Sequence, residues 1–191
     1  MGNRALIVGQ DCPVGIYVHW NGGYDSVTAF LEWARLRGLP GLSSSTRSML
    51  PLATVIANFM GNDGLCVDLQ PVHWPLTVGD SPGDNGIYVI QGYEIVKRID
   101  GPHQEHKVYP RANMLREIDA CQPERNQLGE EFIDAQEVPV SSLKVGDQVY
   151  TAHCAYEPFK LVPVLGIGEE NEIVNGRRAA GVRHVESGAR T

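Results

Sequence analysis

Residues 15–38 have the sequence GIYVHWNGGYDSVTAFLEWARLRG, which joins a strand, a glycine turn and a helix. Gly15–Trp20 is rich in β-branched and aromatic residues, which favours a strand, and Asn21-Gly22-Gly23 breaks it. Asp25 or Ser26 can cap the helix that follows, because a short side-chain oxygen accepts an otherwise unpaired first-turn N–H. Apolar residues at the i, i+3, i+4, i+7 spacing predict one buried face for this helix: Val27, Phe30, Leu31 and Ala34.

The remaining elements extend this unit into an α+β fold. They are, in chain order, a strand at Ala5–Val8, a helix at about Ser48–Met60, a strand at Leu65–Leu69, a hairpin of Ile87–Ile90 and Tyr93–Ile99 around Gln91-Gly92, and a helix from Pro110 to Pro123. Two helices follow one another, so the alternating pattern of a doubly wound sheet is absent. We therefore predict a mostly antiparallel sheet of about five strands with two to three packed helices.

The C-terminal part has a different pattern, with short strand candidates separated by turn residues: Val138–Val140, Gln148–Thr151, Leu161–Ile167 and Glu172–Val174. Short strands that close on one another are typical of a small SH3-like barrel. The predicted organisation is an α+β core domain at 1–121, a polar linker at 122–137, a β-rich module at 138–175 and a tail at 176–191.

Composition indicates a soluble cytoplasmic protein with a core. Of the 191 residues, 42% are hydrophobic, yet no apolar run approaches the roughly 18 residues of a membrane span. The N-terminus lacks the apolar region of a secretory signal. The four cysteines, Cys12, Cys66, Cys121 and Cys154, are far apart, which favours reduced thiols.

The formal net charge of −7 is concentrated in the middle of the chain. Residues 51–150 hold fifteen acidic and seven basic side chains, a net charge of −8. A negative chain repels phosphate backbones, so nucleic-acid binding is not expected. The charge suits a basic protein partner better.

The strand–turn–helix at residues 19–26 is the candidate site for chemistry. His19 and Asp25 could serve as a base and its orienting carboxylate, with Ser26 as a further catalytic candidate. Gly22 and Gly23 before a helix can expose backbone N–H groups that attract an anion. The structural alternative is that the glycines only permit a tight turn.

Metal and thiol chemistry have less support. His103 and His106 are two candidate ligands without a third at a recognised spacing, so no metal and no cofactor are expected. His153 and Cys154 are adjacent, and adjacent residues on a strand point to opposite faces.

Aromatic residues are the candidate partner-binding groups. Trp33 follows the apolar stripe of its helix imperfectly, and Trp74 lies in a proline-rich loop. Semi-exposed aromatic side chains are enriched among the residues that contribute most to protein interfaces. Core packing is the alternative, and it is favoured for Trp20 in particular.

Four segments resemble a protein family carried by phages, plasmids and integrative elements of proteobacteria. They are Met1–Ala5 (MGNRA), Ile16–Leu31 (IYVHWNGGYDSVTAFL), Val55–Phe59 (VIANF) and Asp84–Ile90 (DNGIYVI). The resemblance covers roughly residues 1–120. The family has no assigned activity, so the resemblance implies no catalytic residues.

These observations leave three possible functions open. The first is an accessory protein of a mobile element that binds a host protein stoichiometrically, as an anti-CRISPR-like inhibitor of an anti-phage defence system. The second is a small hydrolase or transferase that uses the His19–Asp25 region. The third is a nucleic-acid-associated factor for transfer or regulation of the element.

Overall fold

The structure is a computed structural model of the chain, and it describes residues 2–61, 66–101, 111–137, 142–151, 160–164 and 183–184. The chain divides into two compact units, Met1–Gln122 and Pro123–Thr191. Among the helices in the described ranges, none has the length and apolar character to cross a membrane.

The described residues of the first unit form five strands and three α-helices, so the predicted α+β fold is confirmed. Its elements are β1 Ala5–Gly9, β2 Val14–Val18, α1 Tyr24–Arg37, α2 Met49–Met60, β3 Val67–Pro71, β4 Ile87–Gln91, β5 Glu94–Ile99 and α3 Arg111–Ala120. The hairpin expected around Gln91-Gly92 is the β4–β5 pair, whose register shifts between Val89 and Ile90.

The strand order in the first sheet is β3-β2-β1-β4-β5. Three of the four pairings are antiparallel, as expected, and the central β1–β4 pairing is parallel. Ile7 on β1 lies opposite both Ile16 on β2 and Tyr88 on β4, so these three side chains share one face. The parallel pairing places the first residues of β1 and β4 at the same end of the sheet.

Each face of the first sheet is buried by different elements. Apolar side chains of one face pack with the segment that follows β3: Leu6, Val8, Val72, Leu76, Ile87, Val89 and Ile99. The opposite face is the one on which α1 begins, since Gly22 touches Ala5. Phe30 of α1 and Phe59 of α2 meet edge to face, with ring centroids 5.4 Å apart.

Local signals explain the limits of α1. Asp25 lies in its first turn and Arg35 in its last, where each charge complements the helix dipole. Gly38 ends the helix in the left-handed conformation, with φ of 75°, and its N–H bonds back to the last turn. Glycine adopts this conformation without the steric cost of a Cβ.

The second unit contains α4 Glu130–Asp134 and the strands β6 Gln136–Glu137, β7 Gln148–Thr151, β8 Lys160–Pro163 and β9 Arg183–His184. These strands form an antiparallel sheet with the order β6-β9-β7-β8. Leu143, Val149 and Val164 form a small core under it. The SH3-like barrel stays a prediction, because the expected strands at 138–140 and 172–174 lie outside the described residues.

The range 122–137, predicted to be a polar linker, differs from that expectation. It contains α4 and β6, and it buries Leu128, Phe132 and Ile133. The apolar residues of α4 are Phe132 and Ile133, and the helix is too short for helical periodicity to be recognised in the sequence. The ring of Phe132 packs edge to face on Tyr150, with centroids 5.4 Å apart.

Candidate functional site

Polar side chains gather where β1 and β4 begin, at one end of the first sheet. Asn3 precedes β1 and Asn85 precedes β4, and the parallel pairing brings the two residues side by side. The Asn85 side-chain N–H donates to the Asn3 side-chain oxygen. Asn85 is buried despite its polarity, so this bond satisfies a group that would otherwise be costly to bury.

The turn before α1 is fixed against the same end of the sheet. The Gly22 N–H donates to the Asn3 carbonyl at 2.8 Å. A Cβ on Gly22 would lie 2.6 Å from that carbonyl oxygen and 2.7 Å from the Ala5 Cβ. Gly22 is therefore required by close backbone approach. The next residue, Gly23, is the N-cap of α1 and supplies no side-chain cap.

Tyr88 and Arg98 form the inner part of this end of the sheet. The Arg98 guanidinium lies 4.6 Å from the centre of the Tyr88 ring, in cation–π geometry. Its Nε and Nη2 donate to the Asn85 carbonyl at 3.3 and 3.0 Å. The Tyr88 side chain is 0% exposed, and its hydroxyl has no hydrogen-bond partner among the described residues.

Burial raises the pKa of Tyr88 to about 12, and the neighbouring Arg98 cation opposes that rise. The Asp25 carboxylate and Tyr24 raise the same pKa further. We call Asn3, Asp25, Asn85, Tyr88 and Arg98 the inner cluster. Neither Tyr88 nor Arg98 was among the sequence candidates, because each lies in a hairpin with an ordinary strand pattern.

An ion pair borders the inner cluster on the solvent side. Arg4 Nε contacts Asp84 Oδ2 at 2.8 Å, and the Arg4 backbone N–H donates to the same oxygen at 3.1 Å. The side-chain and backbone hydrogen bonds from Arg4 lower the pKa of Asp84. This contact ties the segment before β1 to the segment before β4, but an exposed ion pair contributes little stability.

The structure does not bring His19 and Asp25 together. The His19 Nδ1 lies 2.9 Å from the Tyr17 hydroxyl, two residues back on the same face of β2. Asp25 Oδ1 accepts a hydrogen bond from the Ser26 N–H at 2.8 Å, and Ser26 itself is buried. No hydrogen bond joins His19 to Asp25 in the described part of the chain. His19 follows the last residue of β2 and bonds back to Tyr17, whereas Asp25 bonds within the first turn of α1.

The two tryptophans expected to bind a partner differ in their exposure. Trp33 is 1% exposed, and its indole N–H donates to Asp119 Oδ1 at 2.9 Å, so it belongs to the core. Trp74 is half-buried on the apolar face of the sheet, and its indole N–H donates to the Cys12 carbonyl at 2.7 Å. The apolar spacing of α1 does not predict the burial of Trp33, because it does not show that α3 packs against that side of α1.

Other aromatic residues occupy the surface. Trp20 is 42% exposed and Tyr24 is 50% exposed, on either side of the glycine turn. The Trp20 ring stands edge-on to His19, with centroids 5.1 Å apart. We call residues 19–24 the aromatic turn. The core packing expected for Trp20 is wrong, because the tight turn at Asn21-Gly22-Gly23 leaves the aromatic side chains beside it uncovered.

A metal centre has no support in the described residues, which contain no group of three or more potential ligands placed for a metal ion. His103, His106, His153 and Cys154 lie outside the described residues. The cysteines within them, Cys12, Cys66 and Cys121, are free thiols.

No family model matches this chain, and no curated protein or solved structure matches it either. Two features of the protein's own geometry bear on its function. The aromatic turn exposes Trp20 and Tyr24, and the inner cluster buries Asn85 and Tyr88.

Proposed function

We propose that the protein is an accessory protein of a mobile element and acts by stoichiometric binding to a host protein through the aromatic turn. The observation that carries the proposal is the exposure of Trp20 and Tyr24 on a turn that the sheet holds in place. Large aromatic side chains at the centre of an interface commonly supply most of the binding energy.

The aromatic turn is preorganised for binding. The Asn3 N–H donates to the His19 carbonyl at 3.1 Å, and the Gly22 N–H donates back to the Asn3 carbonyl at 2.8 Å. The hydrogen bond between Tyr17 and His19 holds the His19 ring in place, and the Trp20 ring contacts that ring edge-on. A surface that is already ordered loses less conformational entropy on association, which leaves more of the contact energy as affinity.

Charge favours a basic partner. The chain carries a net charge of −7, so long-range attraction accelerates its encounter with a positively charged protein surface. The same charge disfavours nucleic acid, whose phosphates would be repelled.

The partner we propose is a component of an anti-phage defence system, which the protein inhibits in the manner of an anti-CRISPR. The support is the resemblance of residues 1–120 to a family carried by mobile elements, together with the net charge and the aromatic turn. His19 and Asp25 make hydrogen bonds to other residues and not to each other. We therefore favour inhibition by stoichiometric binding over a hydrolase or transferase reaction at that pair.

Paired double variants test the surface. Trp20→Ala Tyr24→Ala removes the exposed aromatics, whereas Leu50→Ala Val78→Ala removes two exposed apolar side chains elsewhere in the same unit. Affinity purification from the natural host identifies a captured protein, whose activity is then titrated with each purified variant. We expect complete inhibition at about one equivalent for the wild type and the Leu50/Val78 variant, and greatly weakened inhibition for the Trp20/Tyr24 variant. Full inactivation at far below one equivalent, or equal inhibition by both variants, would reject the proposal.

A further inference from the structure

Strand β3 is an edge of the first sheet, and in the described part of the chain it pairs with β2 alone. The His19 N–H donates to the Cys66 carbonyl at 2.8 Å, so the backbone groups that bond to β2 belong to every second residue counted from Cys66. Val67 and Leu69 therefore direct their N–H and C=O groups away from the sheet. The described residues offer these groups no hydrogen-bond partner.

The two edges of the first sheet differ in their protection against another strand. At the β5 edge the pairing register shifts between Val89 and Ile90, and the exposed Lys97 adds a charge. Register irregularities and lysine side chains protect natural edges from unwanted pairing. The β3 edge keeps an unbroken register along its length and has no basic residue. An added strand therefore finds hydrogen-bonding groups at β3 that nothing on that strand protects.

Two exposed side chains determine what an added strand meets at β3. Leu69 is 44% exposed, Asp68 beside it is exposed, and consecutive strand residues point to opposite faces. A matching strand carries an apolar residue next to Leu69 and a basic residue next to Asp68, because such cross-strand pairs stabilise a sheet. Residues 51–150, which include β3, carry a net charge of −8 and favour the same basic character.

The β3 edge is continuous with the aromatic turn. The turn begins at His19, whose N–H bonds to Cys66 directly before β3. Trp20, the next residue of the turn, is 42% exposed. One partner can therefore pair with β3 and contact the exposed aromatic side chains in the same interface.

A second copy of the chain suits this edge less well than a basic partner. Each copy carries a net charge of −7, so two copies repel one another. Pairing of two five-residue strands also adds little to the roughly 1,200–2,000 Å² that a stable interface buries. Charge and strand length both favour a basic segment of another protein.

We propose that β3 accepts an extended segment of the host partner as an added strand, and that basic and apolar residues alternate along this segment. The inference rests on the proposed function, for which it names the part of the partner that is recognised. Backbone hydrogen bonds to Val67 and Leu69 supply affinity, and the Asp68 and Leu69 side chains select the sequence.

The first test titrates the full-length protein with a capped peptide of five residues, the length of β3, in which lysine and valine alternate. Binding is followed by amide hydrogen exchange with NMR detection. We expect saturation by about 5 mM and exchange at Val67 and Leu69 slowed by about tenfold or more. The same peptide methylated at every backbone nitrogen keeps its charge but donates no backbone hydrogen bond, and it should not bind. A peptide of alternating glutamate and valine should not bind either.

Leu69→Lys and Val96→Lys are matched variants, because each adds one positive charge at an exposed apolar residue on one edge of the same sheet. Leu69→Lys should weaken binding of the basic peptide by about fivefold or more, since it removes the apolar contact and places a like charge against the peptide. Val96→Lys should bind as the wild type does. Inhibition of the captured host protein should follow the same order, and thermal unfolding verifies that both variants are folded.

The proposal is overturned if the basic peptide leaves exchange at Val67 and Leu69 unchanged, or if the methylated or acidic peptide binds equally well. Equal peptide binding or equal host inhibition by the two variants also overturns it, and so does a dimer in sedimentation that Leu69→Lys dissociates. These results leave the proposed function standing, because the Trp20/Tyr24 titration tests that function without a peptide. Conversely, peptide binding at β3 with host inhibition far below one equivalent rejects the proposed function and the host segment, yet still shows that β3 accepts a strand.

Discussion

Trp33 on α1 donates its indole N–H to the buried Asp119 carboxylate on α3, with the two atoms 2.9 Å apart. The bond crosses 86 residues of sequence and joins two helices that the sequence places far apart. It also explains why a tryptophan that breaks the apolar stripe of α1 is nevertheless buried. Its ring packs in the core while its N–H satisfies a charged group.

Trp33→Phe should lower the free energy of unfolding by about 1.5–3 kcal/mol, because it removes a hydrogen bond to a buried carboxylate. Denaturant unfolding measures the change. Trp20→Phe is the matched control, since that side chain is exposed and should shift stability by less than about 0.5 kcal/mol. Equal losses in both variants would show that the Trp33–Asp119 bond does not stabilise the fold.

Tyr88→Phe should leave the stability of the protein unchanged or raise it by about 1 kcal/mol, because it deletes a buried hydroxyl for which the described residues offer no hydrogen-bond partner in suitable geometry. Tyr93→Phe should have the opposite effect and cost about 0.5–1.5 kcal/mol, because it removes the bond to Leu39. Thermal and denaturant unfolding distinguish the two. A loss in Tyr88→Phe as large as that in Tyr93→Phe would mean that the Tyr88 hydroxyl is already hydrogen-bonded.

The free energy of unfolding should fall at alkaline pH partly because Tyr88 ionises. Burial raises its pKa in the folded protein to about 12, whereas the unfolded chain has the ordinary value near 10. Since the folded state holds the proton more tightly, the stabilising effect is complete below pH 10 and is lost as the pH rises toward 12. The loss attributable to this group is about 2–3 kcal/mol. Unfolding free energies measured across that window should fall less steeply for Tyr88→Phe than for the wild type; parallel curves would contradict this.

Gly22→Ala should destabilise the protein by about 1–3 kcal/mol, because its Cβ would overlap the Asn3 carbonyl and Ala5. Gly79→Ala is the control, since the nearest atom to a Cβ there is the Thr77 hydroxyl oxygen at 3.5 Å. Chemical unfolding should show a change only for Gly22→Ala. Tolerance of alanine at both positions would show that the aromatic turn is not held by this contact.

We expect the net charge and the Trp20 side chain to make separately measurable contributions to binding of the host partner. Raising the salt concentration screens the net charge of −7 and should slow association. Trp20→Ala should mainly speed dissociation and weaken affinity by about tenfold or more. Surface plasmon resonance at several salt concentrations measures both rates. A Trp20→Ala effect confined to the association rate would argue against an anchoring role.

The sequence by itself determined the elements whose signals are local. The apolar spacing of Val27, Phe30, Leu31 and Ala34 and the exit at Gly38 defined α1, and Gln91-Gly92 defined the β4–β5 hairpin. Alternation along β2 also placed Tyr17 and His19 on one face, where their side chains bond. These features depend on neighbours within a few residues, so periodicity and turn chemistry suffice to predict them.

Only the tertiary structure decided which distant segments meet. The parallel pairing of β1 with β4 brings Asn3 to Asn85 and sets Tyr88 on the sheet face that carries Ile7. Packing of α3 buries Trp33, while the glycine turn leaves Trp20 exposed. Which strands pair, and which helix packs on which side chain, depends on the burial and hydrogen bonding of the whole chain. A pattern within a few residues cannot specify these long-range contacts.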